Sequence, residues 1–380
     1  MIYFDNSATT KPFHEVLQSF IKVSSDYFGN PSSLHQIGGQ AEKLLSQAQS
    51  QMAGLLGVKM NEVVFTSGGT EGNNLAIKGT AIEYYRRGKH LITTTIEHPS
   101  VRSAFEQLEK LGFEVTYIPV DADGFVRPAD IERAIRADTI LVSIIHINNE
   151  VGTIQPIKEI GQILKGFPKI IYHVDHVQGA GKVALDFYQC GIDLCTLSGH
   201  KFHGVKGTGA MFIRNGVKIA PLLSGGGQQM DRRNGTENVA GIVAMAKALR
   251  MSIELRKRKM DELYQILGTI RSGLKELPNI TIHTPEEKAA PHILNFSVKG
   301  LKAEVFVHSL EEKGVIVSTT SACSSKRNAP SNTLLAMGVN RDEAERAIRI
   351  SLSYENTLGE AKKVVKAISE SVKQLGEVRK

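Results

Sequence analysis

Between Glu62 and Arg214, short apolar runs alternate with longer stretches whose apolar residues recur every three or four positions. The runs are EVVFTS, HLITTTI, EVTYIPV, TILVSIIHI, KIIYHVD, IDLCTLS and GAMFIR. Several are apolar nearly throughout, as strands covered on both faces are. Amphipathic segments such as HPSVRSAFEQLEKLG lie between them. This pattern predicts an α/β domain with a mostly parallel sheet. A long helical pattern follows from Asn238 to Leu274, with few breakers. Past Leu277–Asn279 the pattern changes: HILNFSV, VIVSTTS and RAIRISLSY read as strands, AEVFVHSLEEKG and EAKKVVKAISESVKQLGEV as helices. The division expected is a large α/β domain over 1–255, N-terminal segment included, and a smaller α+β C-terminal domain over 256–380.

Composition agrees with a globular chain. Of 380 residues, 41% are hydrophobic and 22% charged, enough to fill a sizeable core. No apolar run approaches the roughly 18 residues needed to span a membrane. The start, MIYFDNSATTKP, lacks a basic segment followed by an apolar one, so no signal peptide is expected. Three cysteines, Cys190, Cys195 and Cys323, make no disulfide framework. A cytoplasmic protein with reduced thiols is expected. The net charge of +7 favours anionic partners. Its densest basic run, Arg256–Lys259, reads as a solvated helix face, and no direct nucleic-acid binding is expected.

In open α/β sheets, ligands bind outside the carboxyl ends of the strands. After EVVFTS, Gly68 and Gly69 permit a sharp turn and Thr70 can open a helix whose free N–H groups suit a phosphate. After LITTTI come Glu97 and His98; after LVSIIHI come Asn148 and Asn149; after KIIYHV come Asp175, His176 and Gln178. A carboxylate at a buried strand end needs a cation or several hydrogen bonds. After IDLCTL comes SGHKFHGVKG. Gly199 and Gly204 have P-loop separation, but Val205 stands where that loop needs lysine. His200 and His203 are three apart, yet no adjacent Cys or Glu completes a metal set, and no metal is expected. Taken singly, Lys201 reads as an exposed loop lysine. Taken with Ser198, His200 and Asp175, it reads as a Schiff-base lysine for pyridoxal phosphate (PLP), which wants a lysine for its aldehyde and an Asp for its ring nitrogen. Lys201 lies nearer the strand end than Lys206.

At this point the chain resembles a known family. YFDNSATT, FGNPSSLH, TSGGTEGNNLAIKG, EHPSV, NNEVG, VDHVQGAGK, SGHKFHGVKGTGA and RRNGTENVAG are similar to the NifS/IscS-type cysteine desulfurases, in order from Tyr3 to about Ser353. These are class V, fold-type I PLP enzymes, of aspartate aminotransferase-like fold. The resemblance implies that Lys201 bonds the cofactor aldehyde, Asp175 pairs with the ring nitrogen and His98 stacks on the ring and shuttles protons. It implies Gln178 on the phenolic oxygen, and Gly69, Thr70, Ser198 and His200 around the phosphate. Thr236 would reach in from a second subunit, implying a homodimer. Asn149 and Arg349 would hold the substrate carboxylate, Arg349 because its planar fork matches a carboxylate.

Within VSTTSACSSKRNAPSN, Cys323 sits among small polar residues, with Lys326 and Arg327 nearby to favour a thiolate. Cys195, by contrast, lies in an apolar run, and Cys190 reads as structural filler. The resemblance makes Cys323 the nucleophile that takes sulfur from L-cysteine as a persulfide and leaves L-alanine. The long span from Cys323 through LLAMG resembles the NifS/IscS group more than the shorter-loop SufS group. The chain departs from the family's usual pattern at Thr320, at His203 and Val205, and at His176 and Val177. It ends at Lys380, where IscS-type enzymes continue into a tail that helps bind the iron–sulfur scaffold. The expected acceptor is therefore a tRNA sulfurtransferase of the 4-thiouridine type, with iron–sulfur cluster assembly as the alternative. Selenocysteine lyase and aminotransferase are the competing PLP reactions.

Overall fold

The structure is a computed structural model that describes residues 1–319 and 330–377. Seven described strands form one sheet in the order Val63–Thr66, Gly209–Ile213, Leu194–Ser198, Ile171–Asp175, Thr139–Ile145, His90–Thr94, Glu114–Ile118. Only Gly209–Ile213 runs against the others. The near-continuous apolar runs are explained by coverage of both faces. Side chains alternate across a strand, so Leu91, Leu141, Leu194 and Met211 pack with helices Gly69–Tyr84 and Pro99–Glu109. Their neighbours Ile92, Val142, Cys195 and Phe212 pack with helices Pro128–Ala134 and Ile157–Leu164 on the other face. Cys195 and Cys190 are both buried in this second layer.

The smaller sheet is antiparallel, in the order Ser318–Thr319, Ala347–Ser351, Ile293–Val298, Ile280–Ile282. Helices Ala303–Glu312 and Leu358–Glu377 cover it. The strand Ile280–Ile282 is one that the sequence pattern did not predict. Its three residues, ITI, are too few to show a period. The long helix Val239–Lys275 joins the two layers. The Asn238 side chain caps its start, accepting from the Gly241 N–H at 3.0 Å. Ile242, Met245 and Leu249 pack against the large-sheet side, while Leu263, Ile266, Ile270 and Leu274 pack against the small sheet. Lys257 and Arg258 on this helix are exposed, but the Lys259 ammonium donates to the Tyr354 carbonyl at 3.1 Å. The basic run is thus partly docked rather than wholly solvated. Among the described residues, no helix is long and apolar enough to cross a membrane.

The N-terminal segment connects the small sheet to the large-sheet turn that holds Lys201. Ile2–Tyr3 pairs in parallel with Val315–Ile316. The Ser7 N–H donates to Ser351 Oγ at 2.8 Å, and the Thr10 N–H donates to the His200 carbonyl at 2.9 Å. The carboxyl end of the large sheet is closed in the same compact way. A Cβ on Gly209 would lie 2.6 Å from Gly68 Cα and 2.6 Å from Thr66 Oγ1. Gly209→Ala is therefore expected to destabilise the protein by roughly 1–3 kcal/mol, as overpacking does. Denaturant unfolding checks this, and an unchanged midpoint would show that the turn can yield.

Candidate active site

Asp175 ends the central strand Ile171–Asp175 and is only 3% exposed. Its Oδ2 accepts from Asn73 Nδ2 at 2.8 Å and its Oδ1 from the Val177 N–H at 3.0 Å. Burial raises its carboxyl above the usual range, while those two hydrogen bonds and the charge of Lys201 pull it back. Asn73 comes from the first turns of helix Gly69–Tyr84 and also donates to Ser100 Oγ at 2.9 Å. One side chain thus ties the carboxylate to two helix starts.

The next strand, Leu194–Ser198, runs into a tight turn over Gly199–Lys201. The Lys201 ammonium donates to the Ser7 carbonyl and to the Ala8 carbonyl, the latter at 2.9 Å. Lys206 is exposed, five residues on. His98 caps helix Pro99–Glu109: its Nδ1 accepts from the Ser100 N–H at 3.1 Å. In the neutral ring the proton therefore sits on Nε2. Burial, then Lys201 and Arg349, push His98 down to about 4. His200 is likewise held down to about 4, by burial first and Lys201 next, and its Nδ1 meets Thr9 Oγ1 at 3.2 Å.

These groups surround a cavity of about 230 Å³. Of the residues expected from sequence, Gly69, Thr70, His98, Asn149, Asp175, Gln178, Ser198, His200 and Lys201 all line it. Arg349 stands one step behind the wall. It donates to the Asn149 carbonyl at 2.9 Å and pairs with Asp5 at 3.0 Å. Thr236 is exposed and does not line the cavity of its own chain. Cys323 lies outside the described residues, as do Thr320, Lys326 and Arg327. The described residues flanking that segment are anchored beside the site. Ser318 pairs with Arg349 in the small sheet, and the Ser331 hydroxyl bonds to the Glu150 carboxylate.

The residues present fit pyridoxal phosphate. A Cβ on Gly69 would sit 2.9 Å from Val177 Cγ2, so the close approach at the helix start requires glycine. That start, with Thr70, Ser198 and His200 beside it, is a donor set for a phosphate. Asp175 offers a buried carboxylate to a pyridine nitrogen, and Lys201 offers an amine to an aldehyde. Gln178 donates through Nε2 to the Ser7 carbonyl at 3.1 Å. Its Oε1 is buried with no partner among the described residues, as is Asn73 Oδ1.

Two histidines that depart from the family's pattern have structural places, and neither lines the cavity. His176 Nδ1 meets His146 Nδ1 at 2.7 Å, and both rings are buried and held low by desolvation. His203 stacks on Phe13 with ring centroids 4.1 Å apart and contacts the Lys11 carbonyl at 2.8 Å through Nδ1. Sequence reasoning assigned no role to Asn73, Asp5 or Glu97. Asn73 is three residues past Thr70 on one helix, a spacing that could have revealed it. Asp5 and Arg349 are 344 positions apart, and no local pattern links them.

The family described as Aminotransferase class-V matches residues 2–364. A "NifS/IcsS protein homolog" from Lactobacillus delbrueckii subsp. bulgaricus is 47% identical, over 97% of each chain. The "Cysteine desulfurase IscS" of Dictyoglomus turgidum is 42% identical, over 94% of this chain and 90% of its own. A solved "NifS-like protein" superposes with a TM-score of 0.92 at 38% identity, covering 97% of this chain and 98% of its own.

Glu97 yields a test of the site's electrostatics. It accepts from Thr94 Oγ1 at 2.7 Å and from the Ile145 N–H at 2.9 Å. Burial, reinforced by Asp175, pushes its carboxyl from 4.5 up to about 8. The folded state therefore holds a proton that the unfolded state releases, so stability falls as pH rises from 4.5 to about 8. Glu97→Gln removes that contribution. Unfolding free energies across this window should fall more steeply with pH in the wild type than in the variant. Parallel curves would mean Glu97 is already ionised in the folded protein.

Proposed function

We infer the chemistry from one premise: this chain belongs to the class-V aminotransferase family and is a PLP-dependent enzyme of the cysteine desulfurase type. We propose that L-cysteine is converted to L-alanine at the cavity between Asp175 and Lys201, with its sulfur taken up by Cys323. The observation that carries this reading is the shared cavity itself, which gathers a buried carboxylate, a strand-end lysine and a capping histidine.

Bound PLP supplies an electron sink for the bonds at the amino-acid substrate's carbon atoms. The protein's own groups do the rest. Lys201 would hold the cofactor through its aldehyde carbon. Asp175 would keep the ring nitrogen protonated, and Gln178 would meet the phenolic oxygen. Gly69, Thr70, Ser198 and His200 would take the phosphate, and Thr236 of a second copy would complete that pocket in a homodimer. Asn149 and Arg349 hold the substrate carboxylate, Arg349 exchanging part of its contact with Asp5. His98 enters as a neutral imidazole and moves protons at the substrate. The Cys323 thiolate attacks the substrate sulfur. A sulfur–sulfur bond forms, the carbon–sulfur bond breaks, and its electron pair stays on the substrate carbon, which takes up a proton to give alanine. The persulfide then passes to a thiol-bearing acceptor protein. Residues 1–255 form the cofactor-binding domain and 256–380 the domain that carries Cys323.

The purified holoenzyme is expected to be yellow, and Lys201→Ala to lose the visible band of lysine-bound cofactor. His98→Ala should lower kcat roughly a hundredfold to ten-thousandfold, as loss of a general acid–base does. Cys323→Ser should stay yellow yet release no sulfide from cysteine with a thiol reductant. Wild-type sulfide release by that variant would overturn the persulfide step. Mixing sulfur-labelled enzyme with a tRNA sulfurtransferase and with an iron–sulfur scaffold identifies the acceptor by which one carries the label away.

A further inference from the structure

Two neighbouring strands that end at the cavity are tied together on the side away from it. Ile145 and Asp175, their last residues, stand opposite each other and both line the cavity. The next residue of each chain segment is a histidine, and successive side chains point to opposite faces. His146 accordingly lines a separate groove of about 1140 Å³, with Asp186 and Cys190, and His176 is buried against it. The His146 N–H donates to the Asp175 carbonyl at 2.9 Å and the His176 N–H to the Thr196 carbonyl at 3.0 Å, so the sheet's ladder runs one residue past the strands. The two rings meet through Nδ1, with nitrogens 2.7 Å and centroids 4.8 Å apart. Burial keeps both rings neutral, so one Nδ1 donates and the other accepts.

The turn that follows is built on this pair. The Gly179 and Ala180 N–H groups donate to the His176 carbonyl at 3.1 and 3.0 Å. A Cβ on Gly179 would lie 2.4 Å from His176 Cε1 and 2.9 Å from His146 Nδ1, so the turn closes directly over the rings. The residues between, Val177 and Gln178, line the cavity, and the Val177 N–H donates to Asp175 Oδ1 at 3.0 Å. Two buried imidazoles cost desolvation that a pair of leucines would not. Packing alone does not explain them. A directed hydrogen bond fixes the angle at which the chain leaves the strand, and apolar contact, which has no direction, does not.

We propose that His176, held by His146, is a positioning residue for Asp175. Their hydrogen bond fixes the turn over 176–179, so that the Val177 N–H stays on Asp175 Oδ1 and the carboxylate keeps facing the cofactor's ring nitrogen. This rests on the pairing of Asp175 with that nitrogen proposed above.

The test compares the affinity of the full-length protein for PLP and for 1-deaza-PLP, which has a carbon in place of the ring nitrogen, by absorbance titration. The wild type should bind PLP more tightly than the analogue. His176→Leu should weaken PLP roughly fivefold, about the net contribution of one hydrogen bond, and leave the affinity for the analogue in place. His176→Asn can put a polar atom where Nδ1 stood and should restore most of the PLP affinity. His146→Leu removes the same bond from the other side and should give the same selective loss, which decides the matter if His176→Leu does not fold. Equal losses for the two cofactors, as a purely structural role would give, overturn the proposal, as does an unchanged affinity for PLP. A wild type that binds both cofactors equally would instead overturn the pairing of Asp175 with the ring nitrogen.

Discussion

A carboxylate buried at the end of a central parallel strand sets the terms for everything around it. Asp175 has almost no solvent, and burial drives its carboxyl toward the neutral form. It stays useful as an anion only because its neighbours compensate: the Asn73 amide, the Val177 N–H and the charge of Lys201. A pyridinium nitrogen in the adjoining cavity would complete that compensation. The same low-dielectric setting that makes Asp175 expensive holds His98 and His200 neutral and keeps Glu97 protonated up to about pH 8. Four titratable groups thus follow from one physical condition, the closure of the sheet's carboxyl end by two helix starts and the N-terminal segment.

That N-terminal segment links the site to the small sheet. Asp5 pairs with Arg349, Ser7 bonds Ser351 through its N–H, and the Ser7 and Ala8 carbonyls receive Lys201. The substrate-side arginine and the cofactor-side lysine are thereby fixed to the same few residues.

Much of this was legible in the sequence, for identifiable reasons. Strands buried on both faces leave apolar runs, and six of the seven carry one, whereas Glu114–Ile118 at the sheet edge is mostly half-buried and mixed in polarity. Ligand residues follow strand ends, so Gly69, His98, Asn149, Asp175 and Lys201 could be found by looking there. What stayed hidden depends on long-range contact. The pairing of His146 with His176 spans 30 residues, and that of Asp5 with Arg349 spans almost the whole chain. Lys182 lies within VDHVQGAGK, but that its Nζ is buried with no hydrogen-bond partner among the described residues is a property of burial, which spacing does not reveal. Cys323 was read from its polar, basic surroundings in the sequence and lies outside the described residues.

The role proposed for Asp175 is to keep a pyridine nitrogen protonated in this cavity. It is tested most directly by nitrogen NMR of the holoenzyme loaded with PLP labelled at the ring nitrogen. The account predicts a pyridinium signal at neutral pH in the wild type and an unprotonated ring nitrogen in Asp175→Asn. An unprotonated nitrogen in the wild type, or a pyridinium that survives in Asp175→Asn, would contradict it.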